Sequence, residues 1–515
     1  MAEGSGGRDV THASSERRRL TRNAASAYGA RALLGLSVLL LTPYLYRRLG
    51  AGGFGTLSVI LTIGTTFSLI EMGFARGVSK ITAELLAKGR RRELDENVGA
   101  SVLLFGILGI AAAVVLLLVA IFGSGLASVG NRHAFAVGMA VLAVERLLYF
   151  PLAAYGAVLV GYQRYDLVNA AEASSSIAYA VGAIVAVALG GGVLAVAVIA
   201  AATHFTIGVA GLVFLRRVDP KLSLRPRTSD RETRLRQLTF GSYVLLAESM
   251  TFIGQRMDTV VIAAIRSAAT AAPYAAAIKL QTAVQSLTLP LVYQLMPMSS
   301  DLSARDRHDE VVRRLGLATR FAIQVTVPVA AGLALFAPEV MRLWLGPSAG
   351  PVAAKILVVL MLGQIVMMAA APAEQVLVGV GRARTIGLLT AVEGVSNLGL
   401  SIVLISAYGA IGAALGTLFT SGVIGPLRVP LAARALQQPV WGFLVHTIGP
   451  AALSSLPPLI AMAAVRVSLP QGLLRLGIGV LVGGIAFLAV AYLQLRRGQL
   501  ARILRGTPTA AQSRG

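Results

Sequence analysis

Residues 173–215 read ASSSIAYAVGAIVAVALGGGVLAVAVIAAATHFTIGVAGLVFL, an unbroken run without Asp, Glu, Lys or Arg. A membrane span takes about 20 residues, because the hydrocarbon is about 30 Å thick and a helix rises about 1.5 Å per residue. The stretch is therefore two spans, and Gly190-Gly191-Gly192 is where the chain turns between them. Similar charge-free runs recur at Val98–Gly123, Gly394–Leu427, Ala435–Val465 and Leu476–Leu495.

The composition agrees: of 515 residues 56% are apolar and 13% charged, with a mean hydropathy of +0.74. A water-soluble fold is excluded. The absence of cysteine removes disulfides, thiol nucleophiles and thiolate metal sites, and the five histidines are scattered.

Applied along the whole chain, the same rule predicts fourteen spans, near 24–46, 54–74, 98–123, 134–160, 167–189, 193–215, 240–265, 273–297, 317–337, 353–379, 385–408, 411–434, 444–464 and 474–495. No gap is long enough for a soluble catalytic domain, which argues against an enzyme. Residues 1–23 and 496–515 read as basic cytoplasmic tails, the first of them disordered. Arg76, Lys80, Lys88 and Arg90-Arg91-Arg92 around Ile81, Leu85 and Leu86 predict a short amphipathic helix on the inner surface.

The net charge of +23 could suggest nucleic acid, but the basic residues sit between spans. With the N-terminus inside, 32 of the 46 Lys and Arg fall on inner segments and their edges, 8 on the outer side and 6 within spans. That is the bias expected of a multi-pass protein whose two termini are cytoplasmic, with anionic membrane lipids as the partner of its surface.

Val158-Leu159-Val160-Gly161-x-x-Arg164 recurs in the second half of the chain as Val376-Leu377-Val378-Gly379-x-x-Arg382. Each copy is followed by a helix with one early glutamate, Glu172 or Glu393, and then by a glycine turn. Six spans per copy is an even number, so the copies enter the membrane from the same side. The expected fold is an all-α integral membrane protein: an N-lobe over 24–237, a C-lobe over 238–436 in parallel pseudo-two-fold repeat, and two extra helices over 437–495.

Charges inside spans point to function, since each costs roughly 2.5–3.5 kcal/mol at the bilayer centre. Arg31, Arg146, Arg256 and Lys279 could line a route for an anion; the competing reading is internal pairing with Glu145, Glu248 or Asp258. Glu248, Asp258 and Glu374 are the candidates for coupling to H+ or Na+. Glu71, Glu172, Arg320 and Arg428 lie near helix ends, where a structural role suffices. Glu393 and Asn397 share a face that joins neighbouring helices.

Arg47-Arg48-Leu49-Gly50 followed by Phe54-Gly55, then Glu71-x-Gly73-Phe74 running into a basic helix, resembles the opening of the polysaccharide-transport flippases of the multidrug/oligosaccharidyl-lipid/polysaccharide superfamily. Gly381-Arg382 through Asn397 to Tyr408-Gly409-x-x-Gly412-Ala413 is similar to that family's second-lobe segment. The resemblance implies a two-lobe transporter moving a polyprenyl-diphosphate-linked oligosaccharide to the outer leaflet of a bacterial plasma (inner) membrane. It also implies polysaccharide polymerase and glycosyltransferases as neighbours in the pathway, and no cofactor. A cation-coupled drug exporter of the same superfamily and a non-transporting assembly scaffold are the alternatives.

Overall fold

The computed structural model describes residues 6–225 and 257–496, with side chains of the first helix described from Val38 onward. Its contacts divide the chain into two compact units meeting between Ala272 and Pro273. The lobe boundary expected at 237/238 lies outside the described residues, as does the tail 497–515.

The first unit holds α1 (Gly6–Ala87), α2 (Arg91–Phe122), α3 (Arg132–Gly161), α4 (Tyr165–Ala188), α5 (Val193–Val218) and α6 (Asp258–Ile265). α1 contains two spans joined at Gly50, whose φ of +69° breaks the helical path where glycine alone bears no Cβ penalty. Residues 6–23, expected from their composition as a tail, form the start of this helix. The expected surface helix differs too. Its first half is the end of α1, and Gly89, at φ +65°, turns the chain into α2.

The second unit holds α7 (Ala268–Tyr293, its first turn on the other side of the boundary), α8 (Leu295–Ala304), α9 (His308–Leu335), α10 (Ala337–Leu345), α11 (Gly350–Gly379), α12 (Ala383–Tyr408), α13 (Ala410–Val423), α14 (Arg428–Ala435), α15 (Val440–Phe443), α16 (Gly449–Ser468) and α17 (Leu473–Arg496). Among the described residues eleven helices are long and apolar enough to cross a membrane, the first of them, Val38–Ala87, long enough to do so twice. With α7, thirteen of the fourteen predicted spans have a described helix, and most of the seventh, 240–265, lies outside the described residues.

The repeat is legible in the element bounds. The offset that carries Val158 onto Val376 also carries α3 onto the bounds of α11, and α4 onto 383–406, against 383–408 for α12. The helix ends match bond for bond: Arg164 N donates to Leu159 O at 3.0 Å and Arg382 N to Leu377 O at 2.8 Å, closing the same left-handed turn around Gln163 (φ +59°) and Gly381 (φ +85°). The last residue of each helix is a glycine because a helix crosses it closely. A Cβ on Gly161 would lie 2.6 Å from the Thr82 side chain, and one on Gly379 would run into Ser299.

α3 is the hub of the first unit, packed against α1, α2 and α5, and α11 is the hub of the second, packed against α9, α10 and α13. Phe105, Phe135, Phe150, Leu116 and Met139 fill the space around α3 completely. Outward faces are apolar as well: Ile107, Ile110, Val114, Leu117 and Ile121 form one exposed stripe along α2, at the three-to-four-residue spacing of a helix face turned toward lipid. α16 and α17 pair with each other, and α16 packs on α9. The π-turn Leu444–Ile448 precedes α16, and Arg320 of α9 donates to the carbonyl of His446 within it.

Candidate functional site

Three helices of the first unit bring charge together at mid-span. Glu145 and Arg146 stand at the middle of α3, between its ends at Arg132 and Gly161. His204 stands close to the middle of α5, and Gly64 lies well inside the second span of α1, beyond the break at Gly50. Where these segments cross, Arg146 Nε lies 3.2 Å from Glu145 Oε2, and His204 Nδ1 lies 2.7 Å from Glu145 Oε1. Arg146 Nη2 donates to the carbonyl of Gly64 at 3.2 Å. Further along the same helices, Tyr149 donates its hydroxyl to Glu71 at 2.7 Å, while its ring lies 4.2 Å, centroid to centroid, from the His204 imidazole.

The environment is close to dry. The Arg146 and Glu145 side chains are 5% and 4% exposed, whereas that of His204 is 30% exposed. Arg146 also lies 5.8 Å from the Tyr149 ring centre and 6.0 Å from that of Phe150, within range of a cation–π contact. Gly109 permits the close approach of α2, since a Cβ there would lie 2.9 Å from Phe150 Cβ and 3.0 Å from the Arg146 carbonyl. Even so, Arg146 Nη1 and Glu145 Oε2 make no hydrogen bond. A buried charge left partly unsatisfied is costly.

The second unit has no such cluster at the equivalent depth among its described residues. The counterpart of Arg146 in the repeat is Gln364, fully buried and accepting from Gln285 Nε2 at 3.1 Å; the counterpart of Glu145 is Gly363. Charge in this unit gathers toward the other end of α11. Arg428 Nε lies 2.9 Å from Glu374 Oε2, and its Nη2 donates to Glu393 Oε2 at 2.7 Å. The buried guanidinium thus joins α11, α12 and α14, and Glu374, a candidate for ion coupling, stands in a fixed ion pair. Glu393 joins helices as its spacing suggested.

Of the cationic candidates, Arg146 is paired inside the first unit, the internal reading of its charge, and Lys279 is exposed on α7 in the second. Arg256, Glu248 and the side chain of Arg31 lie outside the described residues. Asp258 opens α6 and is buried. Sequence reasoning missed His204, which sits 59 residues from Glu145. A histidine within a charge-free span is the signal that marks it.

The pattern that defines the family of polysaccharide biosynthesis proteins matches residues 20–303. Among solved structures, the chain is similar to the lipid II flippase MurJ in its inward closed conformation, with a TM-score of 0.73, 15% identity, and 92% of this chain and 99% of that one covered. It is also similar to an inward-facing multidrug resistance MATE family transporter of the MOP superfamily, with a TM-score of 0.70, 15% identity, and 78% and 94% covered. The outward-facing form of such a transporter gives a TM-score of 0.58 at 16% identity, with 81% and 96% covered. No curated protein matches. The fold is thus that of the MurJ and MATE transporters, and since the matched pattern spans more than half of its length, the chain belongs to the polysaccharide biosynthesis protein family.

Proposed function

We propose that this protein flips a polyprenyl-diphosphate-linked oligosaccharide from the cytoplasmic to the outer leaflet of a bacterial plasma membrane by alternating access, with both termini cytoplasmic. One observation carries the reading: the first unit holds Glu145, Arg146 and His204 at mid-span, where a charge costs several kcal/mol and a passive scaffold gains nothing from it. Family membership supports polysaccharide as the cargo class, and the transporter fold supports movement across the bilayer. A diphosphate needs guanidinium or ammonium donors on its way, while its polyprenyl tail can stay in lipid. Arg146, with an unused N–H, and Lys279 are the described donors we assign to it, joined by Arg31 and Arg256. Polymerase and glycosyltransferases of the same assembly route are the proposed partners.

The test is reconstitution in liposomes with a fluorescent lipid-linked oligosaccharide, scored by exposure at the outer leaflet. Wild type should expose it, and Arg146→Ala should slow exposure at least about tenfold, the cost of one charge-assisted contact. Equal exposure by wild type and empty liposomes, combined with extrusion of a cationic dye, would favour a small-molecule exporter. Unchanged exposure in Arg146→Ala would remove this residue from the pathway.

A further inference from the structure

The following inference rests on the transport reading above, in which an ion bound in one state and released in the other would drive the cycle. Glu71, Glu145, Arg146 and His204 are linked within the first unit: Glu145 touches both Arg146 and His204, and Tyr149 holds Glu71 while its ring lies against His204. With both carboxylates ionised and the imidazole neutral they sum to one negative charge; one added proton brings the cluster to zero.

The geometry says where that proton goes. Glu145 Oε1 accepts from His204 Nδ1 at 2.7 Å, so Nδ1 carries a hydrogen when Glu145 is ionised and Nε2 is the open base. Protonation forms an N–H bond at Nε2 and breaks an O–H bond of hydronium, leaving water; release reverses both. The ring is the most exposed part of the Glu145–Arg146–His204 group, whereas Glu145 is sealed. Sodium is a poor alternative, since the Arg146 guanidinium already lies 3.2 Å from Glu145 and hard cations require several oxygens. Among the described residues no group of His, Asp and Glu could hold a metal ion.

The surrounding helices add little charge. α1 supplies Glu71, held by Tyr149 of α3; α2 has no charged side chain between Val98 and Phe122; α4 carries Asp166, Glu172 and Tyr179; and α6, packed on α1, carries Asp258.

We propose that the Glu145–His204 pair is the proton-binding site of the transport cycle, and that its occupancy controls Arg146. An imidazolium at His204 competes with the guanidinium for Glu145, so proton binding loosens Arg146 toward a diphosphate and proton loss recaptures it. Arg146 Nη1, which makes no hydrogen bond, and Glu145 Oε2, held by the ion pair to Arg146 Nε, are the atoms such an exchange of partners would use.

Two measurements test the site separately from the cargo. In full-length protein labelled with nitrogen-15 in its five imidazoles and held in lipid nanodiscs, the His204 resonance, assigned by His204→Gln, should respond to pH as Nε2 gains and loses its proton. Glu145→Gln should weaken proton binding at His204 about tenfold, by removing the carboxylate that faces the imidazolium. No pH response of His204 in wild type, or the same response in Glu145→Gln, would overturn the proposal without needing any variant to transport. In proteoliposomes carrying the labelled lipid-linked oligosaccharide, an imposed pH gradient should speed exposure by wild type and by His308→Gln but not by His204→Gln. Titration without any movement of the lipid would leave the site standing and sink the flippase reading. Gradient-driven exposure unchanged in His204→Gln would do the reverse.

Discussion

Arg146 and Gln364 stand at the same position on the hub helices of the two units, and both are buried. One is ionised with an acid beside it, the other neutral with a second glutamine opposite. The backbone is duplicated and the charge is not.

Gln364→Arg should therefore destabilise the protein strongly. The position offers Gly363 where Arg146 has Glu145, and an unpaired buried charge costs on the order of 3–5 kcal/mol. The thermal unfolding midpoint in detergent should fall sharply, and Gly363→Glu added to it should recover part of the loss. Equal stability of Gln364→Arg and wild type would mean that this site is wet.

Gly379→Ala should cost about 1–3 kcal/mol, because the added methyl meets Ser299 and the Met296 carbonyl where α8 crosses α11. Gly161→Ala should behave alike against Thr82 and the Ser79 carbonyl. Adding Ser299→Gly to Gly379→Ala should restore only part of the first loss, since the carbonyl stays. Unfolding midpoints of the three variants decide it, and a full recovery would contradict the close backbone crossing.

Arg428→Ala leaves Glu374 and Glu393 facing each other without their shared cation, while Glu393→Gln removes only one of two partners. The arginine change should cost several kcal/mol and the glutamine change about 1–2 kcal/mol. A cost for Glu393→Gln equal to that of Arg428→Ala, read by thermal unfolding, would place the whole effect on the single Glu393 bond.

At the membrane edge, Asp219 accepts from Arg91 Nη2 at 3.0 Å and from Tyr162 OH at 2.6 Å, tying the start of α2 and the turn after α3 to the segment that follows α5. Hydrogen bonds from Arg91, followed by that from Tyr162, hold the Asp219 carboxyl below its ordinary range. A lowered carboxyl adds stability above its unfolded value, about pH 4, and loses it as pH falls through the folded value. Acidification below about pH 4 should thus destabilise wild type more than Asp219→Asn. Parallel acid titrations of the two proteins would contradict this. Burial and Asp219 together push the Tyr162 phenol up, so at the alkaline end its contribution persists through neutral pH and fades as pH rises above about 10.

Hydrophobic length and the repeated Val-Leu-Val-Gly motif suffice to read the spans and the duplicated unit, because membrane thickness and backbone hydrogen bonding leave few alternatives. Gly190-Gly191-Gly192 does form the turn between α4 and α5, with Gly190 at φ +89°. The site is harder. Arg146 stands out by its cost in lipid, and Glu145 suggests itself as a partner because the two are adjacent. His204 and Tyr149 complete the cluster through helix packing, which brings together residues 59 and 78 positions apart, a separation that no local pattern encodes. Arg428 reads in the sequence as an end-of-helix cation free to reach water; its burial between two glutamates follows from α14 folding back on α11, which brings its side chain to Glu374 and to Glu393 of α12.

The matching bounds of α3 and α11 leave the two hubs free to differ in what they hold. One scaffold, used twice, carries an arginine in a polar cluster at one centre and a neutral glutamine pair at the other, so the asymmetry between the units lies in side chains and not in helices.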